Sequence, residues 1–184
     1  MRATILVGLI CSAGFALAGP PALTVPLGKW LVVREATGKG LKPGSGVRFR
    51  AEGFDTASSG KGSANPGACT ATGAELKCDS GLAATAVDAT TVRATMGPIQ
   101  LTLAAASAAE SASFDQWLAD SVAQQAACSA AAKCCHASEK PLGVPCDLKA
   151  VLGDRSLAAC KAGLDQLRSA LASKKVEAPA ECRP

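Results

Sequence analysis

Cys69-Thr70-Ala71-Thr72-Gly73-Ala74-Glu75-Leu76-Lys77-Cys78 reads as a complete β-hairpin. A two-residue Gly73-Ala74 loop with glycine first suits a type II′ turn, whose twist matches that of the strands it joins. That register sets Thr72 against Glu75, Ala71 against Leu76, Thr70 against Lys77 and Cys69 against Cys78. Because side chains alternate along a strand, Cys69, Ala71, Leu76 and Cys78 then share an apolar face, with Thr70, Thr72, Glu75 and Lys77 on the other. Counting outward from the turn, the two cysteines form a non-hydrogen-bonded pair, where Cα atoms lie about 4.5 Å apart. A disulfide spans that distance. A Cys69–Cys78 bridge is therefore expected, and with it an antiparallel sheet.

Val92 to Leu103 repeats the pattern around Gly97-Pro98. Val92, Ala94 and Met96 fall opposite Leu103, Leu101 and Ile99, while Arg93 and Thr95 fall opposite Thr102 and Gln100, as a sheet with one solvated face requires. Upstream, Trp30-Leu31-Val32-Val33 and Val47-Arg48-Phe49-Arg50 are strand candidates separated by Thr37-Gly38-Lys39-Gly40 and Pro43-Gly44-Ser45-Gly46. Ser58 to Gly67 reads as a flexible loop by composition.

The Gly28-Lys29-Trp30 strand start, followed by consecutive antiparallel hairpins in under 100 residues, resembles small exported lipocalin-like or META-type bacterial β domains. The resemblance covers about half of the chain. It implies an envelope-associated β domain and carries no binding residues across, because Gly67-Ala68-Cys69-Thr70 departs from the Gly-Cys-Asn segment of META-type domains.

The second half changes character. Ala104 to Ala112 reads as an Ala/Ser linker, and Ser113-Phe114-Asp115-Gln116 has capping-box form. An Ala-rich helix is expected from Phe114 to His136, broken at Lys140-Pro141. Cys146 to Leu152 suits a short helix. Asp154 is placed to cap a last helix from Arg155 to Ser173, in which Leu157, Cys160, Leu164, Leu167 and Leu171 form one stripe. Cys128, Cys134 and Cys135 belong to the first helix, and Cys146, Cys160 and Cys182 lie beyond it. Cys128 and Cys135 stand about 10 Å apart on a helix and cannot bridge. Three bridges between the two sets are expected, with the individual partners open among 15 pairings of six cysteines.

Met1-Arg2, an apolar run to Leu17, and Ala16-Leu17-Ala18 have the form of a secretory signal peptide, residues 1–18, cleaved after Ala18. A lipidated Cys11 is the alternative, against which stands Ile10 in the position where Gly, Ala or Ser is wanted. Cleavage removes one of nine cysteines and leaves the even set Cys69, Cys78, Cys128, Cys134, Cys135, Cys146, Cys160 and Cys182. An even count in an exported chain is the signature of a disulfide framework, so a secreted or periplasmic location is expected. The apolar run ends before Pro20-Pro21, too short for a transmembrane span in the mature chain. The expectation is thus an α+β protein: a small antiparallel β sheet or barrel-like N-terminal domain (19–103), the linker (104–112), and a disulfide-stapled helical hairpin domain (113–184).

Composition narrows the function. With 48% hydrophobic and 18% charged residues among 184, the chain is not a disordered one. A formal charge of +4 and only 3% aromatic residues argue against nucleic acid. Lys29, Arg34, Lys39, Lys42, Arg48 and Arg50 stand against Glu35 alone between Gly28 and Arg50, a candidate patch for an anionic partner. The simpler reading is a solvated sheet face, since Arg48 and Arg50 alternate with Val47 and Phe49. Cys128, Cys134, Cys135 and His136 carry zinc-type ligand atoms, but C-x5-C-C-H is not a usual zinc spacing and export favours oxidation. No catalytic or cofactor-binding residues are indicated: nucleophile-elbow, dinucleotide and phosphate-loop signatures are missing, and His136 is the single histidine. The expected function is that of a non-catalytic exported bacterial envelope or extracellular protein acting by binding or structural interaction, with an unknown protein, a lipid or an anionic surface as partner. A small hydrophobic-ligand carrier and a carboxylate-dependent hydrolase are the alternatives.

Overall fold

The computed structural model describes residues 23–183. The expected signal peptide, its cleavage after Ala18, the Cys11 alternative and Pro184 lie outside them.

Among the described residues, nine strands make one antiparallel sheet: β1 (Trp30–Thr37), β2 (Gly46–Arg50), β3 (Gly53–Ser58), β4 (Lys61–Pro66), β5 (Cys69–Thr72), β6 (Glu75–Cys78), β7 (Leu82–Ala86), β8 (Thr91–Met96) and β9 (Ile99–Ala105). Their order is β4-β3-β2-β1-β9-β8-β7-β6-β5, so the chain meanders outward in two wings that join where β1 pairs β9. The sheet curls into a half-barrel. Its inward face, with Leu31, Val33, Val47, Phe49, Phe54, Leu76, Leu82, Val92 and Leu103, forms one core shared by both wings. The edges approach one another at the β4–β5 connection, where the Gly67 and Cys69 N–H groups donate to Glu52 and Ala51 carbonyls at 3.2 and 2.7 Å.

Both hairpins have the register their alternation predicts. Cys69 pairs Cys78 and Thr72 pairs Glu75. Val92 pairs Leu103 and Met96 pairs Ile99. The Cys69–Cys78 disulfide spans a Cα separation of 4.0 Å. The segment Ser58 to Gly67, expected as a loop, is instead mostly strand: Lys61–Pro66 is β4, paired from Ser58↔Lys61 to Gly53↔Pro66. Its Gly, Ser, Ala and Asn content has a packing reason. A Cβ on Gly62 would collide with the Leu118 backbone, so only a residue without a side chain lets a helix lie there.

That helix is α1 (Ala108–Leu142), about 52 Å long at 1.5 Å per residue. Its start lies at Ser107, not Ser113. Ser107 Oγ accepts from the Glu110 N–H, and Glu110 Oε2 accepts from the Ser107 N–H, a complete capping box. Ser113 instead bonds the Ala109 carbonyl one turn back. The Ala/Ser segment 104–112 is consequently not a linker: β9 runs to Ala105 and α1 begins at Ala108. Nor does Lys140-Pro141 break the helix. It continues to Leu142, which is buried against Leu171, and ends at Gly143 in the left-handed region (φ 70°).

Phe114, Trp117 and Leu118 of α1 cover Trp30, Val32 and Ala57 on the outer face of the β1–β4 wing. The rest of α1 packs on α2 (Leu148–Leu152), α3 (Leu157–Ser173) and a 3₁₀ turn, Ala180–Cys182. Ser156, not Asp154, caps α3: its hydroxyl accepts from the Ala159 N–H, while Asp154 accepts from the Ser156 N–H. The Leu157–Leu171 stripe faces α1, with Cys160 and Leu171 fully buried. Three disulfides join α1 to later parts of the chain: Cys128–Cys160 to α3, Cys134–Cys182 to the 3₁₀ turn, and Cys135–Cys146 to the loop before α2. Four bridges in 161 described residues place the protein in an oxidising compartment. No helix among the described residues is long and apolar enough to cross a membrane.

Candidate functional site

Curling the sheet leaves a cavity of about 250 Å³ between its wings. Val47 and Phe54 line it from one wing, and Leu82, Met96, Ile99 and Leu101 from the other. Gly40 and Leu41 of the β1–β2 loop close one side. The alternation that fills the core also makes this lining apolar, since these positions face inward. Among the described residues, Thr56 and Asn65 are the only lining side chains that bear oxygen or nitrogen, and no charged residue lines it. The loop lies tightly on the β8–β9 turn: Gly40 has φ 152°, and a Cβ there would stand 2.9 Å from Ile99 Cδ1.

Three of the six cations in this segment are ion-paired. Arg34 pairs with Glu110 at 3.6 Å, and Arg48 with Asp55 and Asp115 at 2.8 Å each. Arg50 Nη2 lies 2.8 Å from Asp55 Oδ1, close enough for an ion pair, though Oδ1 accepts no hydrogen bond among the described residues. Glu52, two residues along, also lies 3.6 Å from Arg50, while α1 brings the distant carboxylates of Glu110 and Asp115 to Arg34 and Arg48. Lys29, Lys39 and Lys42 remain exposed, without an ion pair among the described residues. Asp55 is the residue that sequence reasoning missed; its signal was an acidic residue in a strand whose cross-strand partner, one tight turn away, is Arg48.

A hollow of about 440 Å³ borders this cluster, lined in part by Lys29, Trp30, Arg48, Ser111 and Asp115. Trp30 Nε1 donates to Asp115 Oδ1 at 2.8 Å, and the Arg48 guanidinium lies 4.6 Å from the Trp30 ring centroid. Arg48 is therefore engaged by two carboxylates and an aromatic face.

The set Cys128, Cys134, Cys135 and His136 is dispersed by pairing: each of the three cysteines is bonded to a different later cysteine. His136 is exposed, with Nδ1 3.0 Å from Glu139 Oε1. The same oxygen accepts the Cys146 N–H at 3.3 Å. The His136 hydrogen bond, and after it the Cys146 N–H, hold the Glu139 carboxyl below its ordinary range. Compared with family models, curated proteins and solved structures, the chain has no match in any of the three.

Proposed function

We propose that this is a non-catalytic exported protein that acts by binding, and that the cavity between the wings of its sheet takes a small apolar ligand. The observation that carries this reading is the lining: among the described residues, hydrophobic side chains from both wings, two neutral polar groups and no charge surround about 250 Å³. Ligand sites are concave and mostly apolar with few polar groups to set orientation. Ligand pockets run about 300–1,000 Å³, so a space of about 250 Å³ suits a ligand at the small end of that range. The rival reading, a carboxylate-dependent hydrolase, finds Asp55 and Asp115 already engaged by Arg48.

The test combines native mass spectrometry of the secreted protein with a methyl NMR titration using 1-octanol. Bound apolar small molecules, and octanol shifts centred on Leu82, Ile99 and Leu101, are expected. Ile99→Trp should fill the space and abolish both. Octanol shifts scattered over the surface, or left unchanged by Ile99→Trp, would refute the reading.

A further inference from the structure

His136, Glu139 and Cys146 converge where α1 ends. Their ligand atoms all lie within 4.8 Å of one another. Imidazole, carboxylate and thiolate are zinc-type ligands, and tetrahedral bonds of about 2.0–2.3 Å put ligand atoms roughly 3.3–3.8 Å apart. Side-chain rotation of about an ångström closes that difference. One thing prevents binding: Cys146 Sγ is tied to Cys135 and is no thiolate. We propose that the Cys135–Cys146 bridge masks a metal site, and that opening it lets Cys146, His136 and Glu139 bind a zinc-type divalent cation.

The geometry holds the three groups together without the bridge. Glu139 accepts from both His136 and the Cys146 N–H, so the carboxylate gathers the cluster. The connecting loop is anchored at both ends. Gly143 N–H bonds the Glu139 carbonyl at 2.9 Å. After Cys146, Asp147 caps α2, whose Leu148 and Leu152 pack against Ala131 and Cys160. Opening the bridge leaves Cys146 close to where it stands. Cys146 is half-buried and His136 and Glu139 are exposed, so a reductant and a cation can both reach the site, whereas Cys134 and Cys182 are 0% and 1% exposed.

The reductant is a dithiol. Its first thiolate attacks Cys146 Sγ, and the sulfur–sulfur bond breaks with its electron pair going to Cys135, which takes up a proton. The second thiolate then displaces Cys146 from the mixed disulfide, and the dithiol leaves as a disulfide. The protein has gained two electrons and two protons. Cation binding releases the Cys146 thiol proton to water, and a water molecule takes the fourth tetrahedral position.

Cys135→Ser frees Cys146 without reductant and leaves the other three bridges in place. With cobalt(II) as the probe, this variant should bind one equivalent and show thiolate-to-cobalt charge-transfer absorption, which the oxidised wild type should lack. Adding His136→Ala or Glu139→Gln should weaken binding at least tenfold. No charge-transfer band in Cys135→Ser, or a band that neither second substitution weakens, overturns the proposal. A second measurement needs no variant: wild type is opened with graded dithiothreitol and alkylated with and without zinc, peptide by peptide. Zinc should slow alkylation of Cys146 and leave Cys69 and Cys78 unaffected; equal rates at Cys146 also overturn the proposal.

Discussion

Arg48 and Asp55 are direct cross-strand partners on β2 and β3, and both Nε and Nη2 of Arg48 reach Asp55 Oδ2, at 2.9 and 2.8 Å. Asp55 is 1% exposed, on the wing face that α1 covers. Arg48 also reaches Asp115 on the helix, so this side chain ties sheet to helix as well as strand to strand.

Burial separates the two carboxylates in energy. Removing one partner of a buried pair leaves an uncompensated charge and costs about 3–5 kcal/mol. Asp55→Ala should therefore cost several kcal/mol in urea unfolding. Asp115→Asn, at a side chain 56% exposed, should cost about 1 kcal/mol or less. Equal losses would mean that Asp55 is not the buried member of the pair.

Two glycines set how closely α1 approaches the sheet, and they should respond differently to repair. Alanine at Gly46 would place its Cβ 2.6 Å from the Phe114 ring, whereas alanine at Gly62 would strike the Leu118 backbone. Each should cost about 1–3 kcal/mol as overpacking. Phe114→Leu should recover part of the Gly46→Ala loss in a double-mutant cycle and none of the Gly62→Ala loss.

The capping box makes the start of α1 sensitive to acid. The Ser107 N–H, then the Ser107 hydroxyl, then the charge of Arg34, lower the Glu110 pKa beneath its ordinary 4.5. A lowered folded-state pKa contributes stability that is present above 4.5 and lost as pH falls through the folded value. Glu110→Gln should melt below wild type at neutral pH, and the two should converge in acid. A constant gap in melting temperature down to pH 2 would disprove the linkage.

The disulfides should matter unequally. The bridges Cys128–Cys160 and Cys134–Cys182 span 32 and 48 residues, and Cys69–Cys78 only 9. In the chain-entropy model the two long ones contribute about 4 kcal/mol each. The helical half has few large side chains to offset their loss, whereas the sheet keeps its ladder and its core of both wings. After full reduction and alkylation, hydrogen exchange should show α3 unprotected and β8–β9 still protected. Cys78→Ser should leave the protein folded but less stable. Retained protection across 157–173 after reduction would show that packing alone holds α3.

Whatever depends on near neighbours along the chain was legible before the fold was known. The registers of Cys69–Cys78 and Val92–Leu103 follow from a two-residue turn and a period of two, so every pairing was readable, as was the disulfide it implies. The stripe on α3 and the division of six cysteines into two sets of three follow from helical spacing. Local signals failed where two of the same kind competed. Ser107 and Ser113 both begin capping-box patterns, and what favours Ser107 is the end of β9 at Ala105, together with Arg34 beside Glu110. Glycine-rich 58–67 read as a loop because the reason for its glycine, the Leu118 backbone, lies more than fifty residues away. Folding, by contrast, selects which cysteines pair and which carboxylates neutralise Arg34, Arg48 and Arg50, and sets His136 and Glu139 beside Cys146. Some of these contacts join residues far apart in the chain, such as Arg34–Glu110, Arg48–Asp115 and Cys134–Cys182, and others, such as Arg48–Asp55 and Glu139–Cys146, are close in sequence but need the turn between them to fold back.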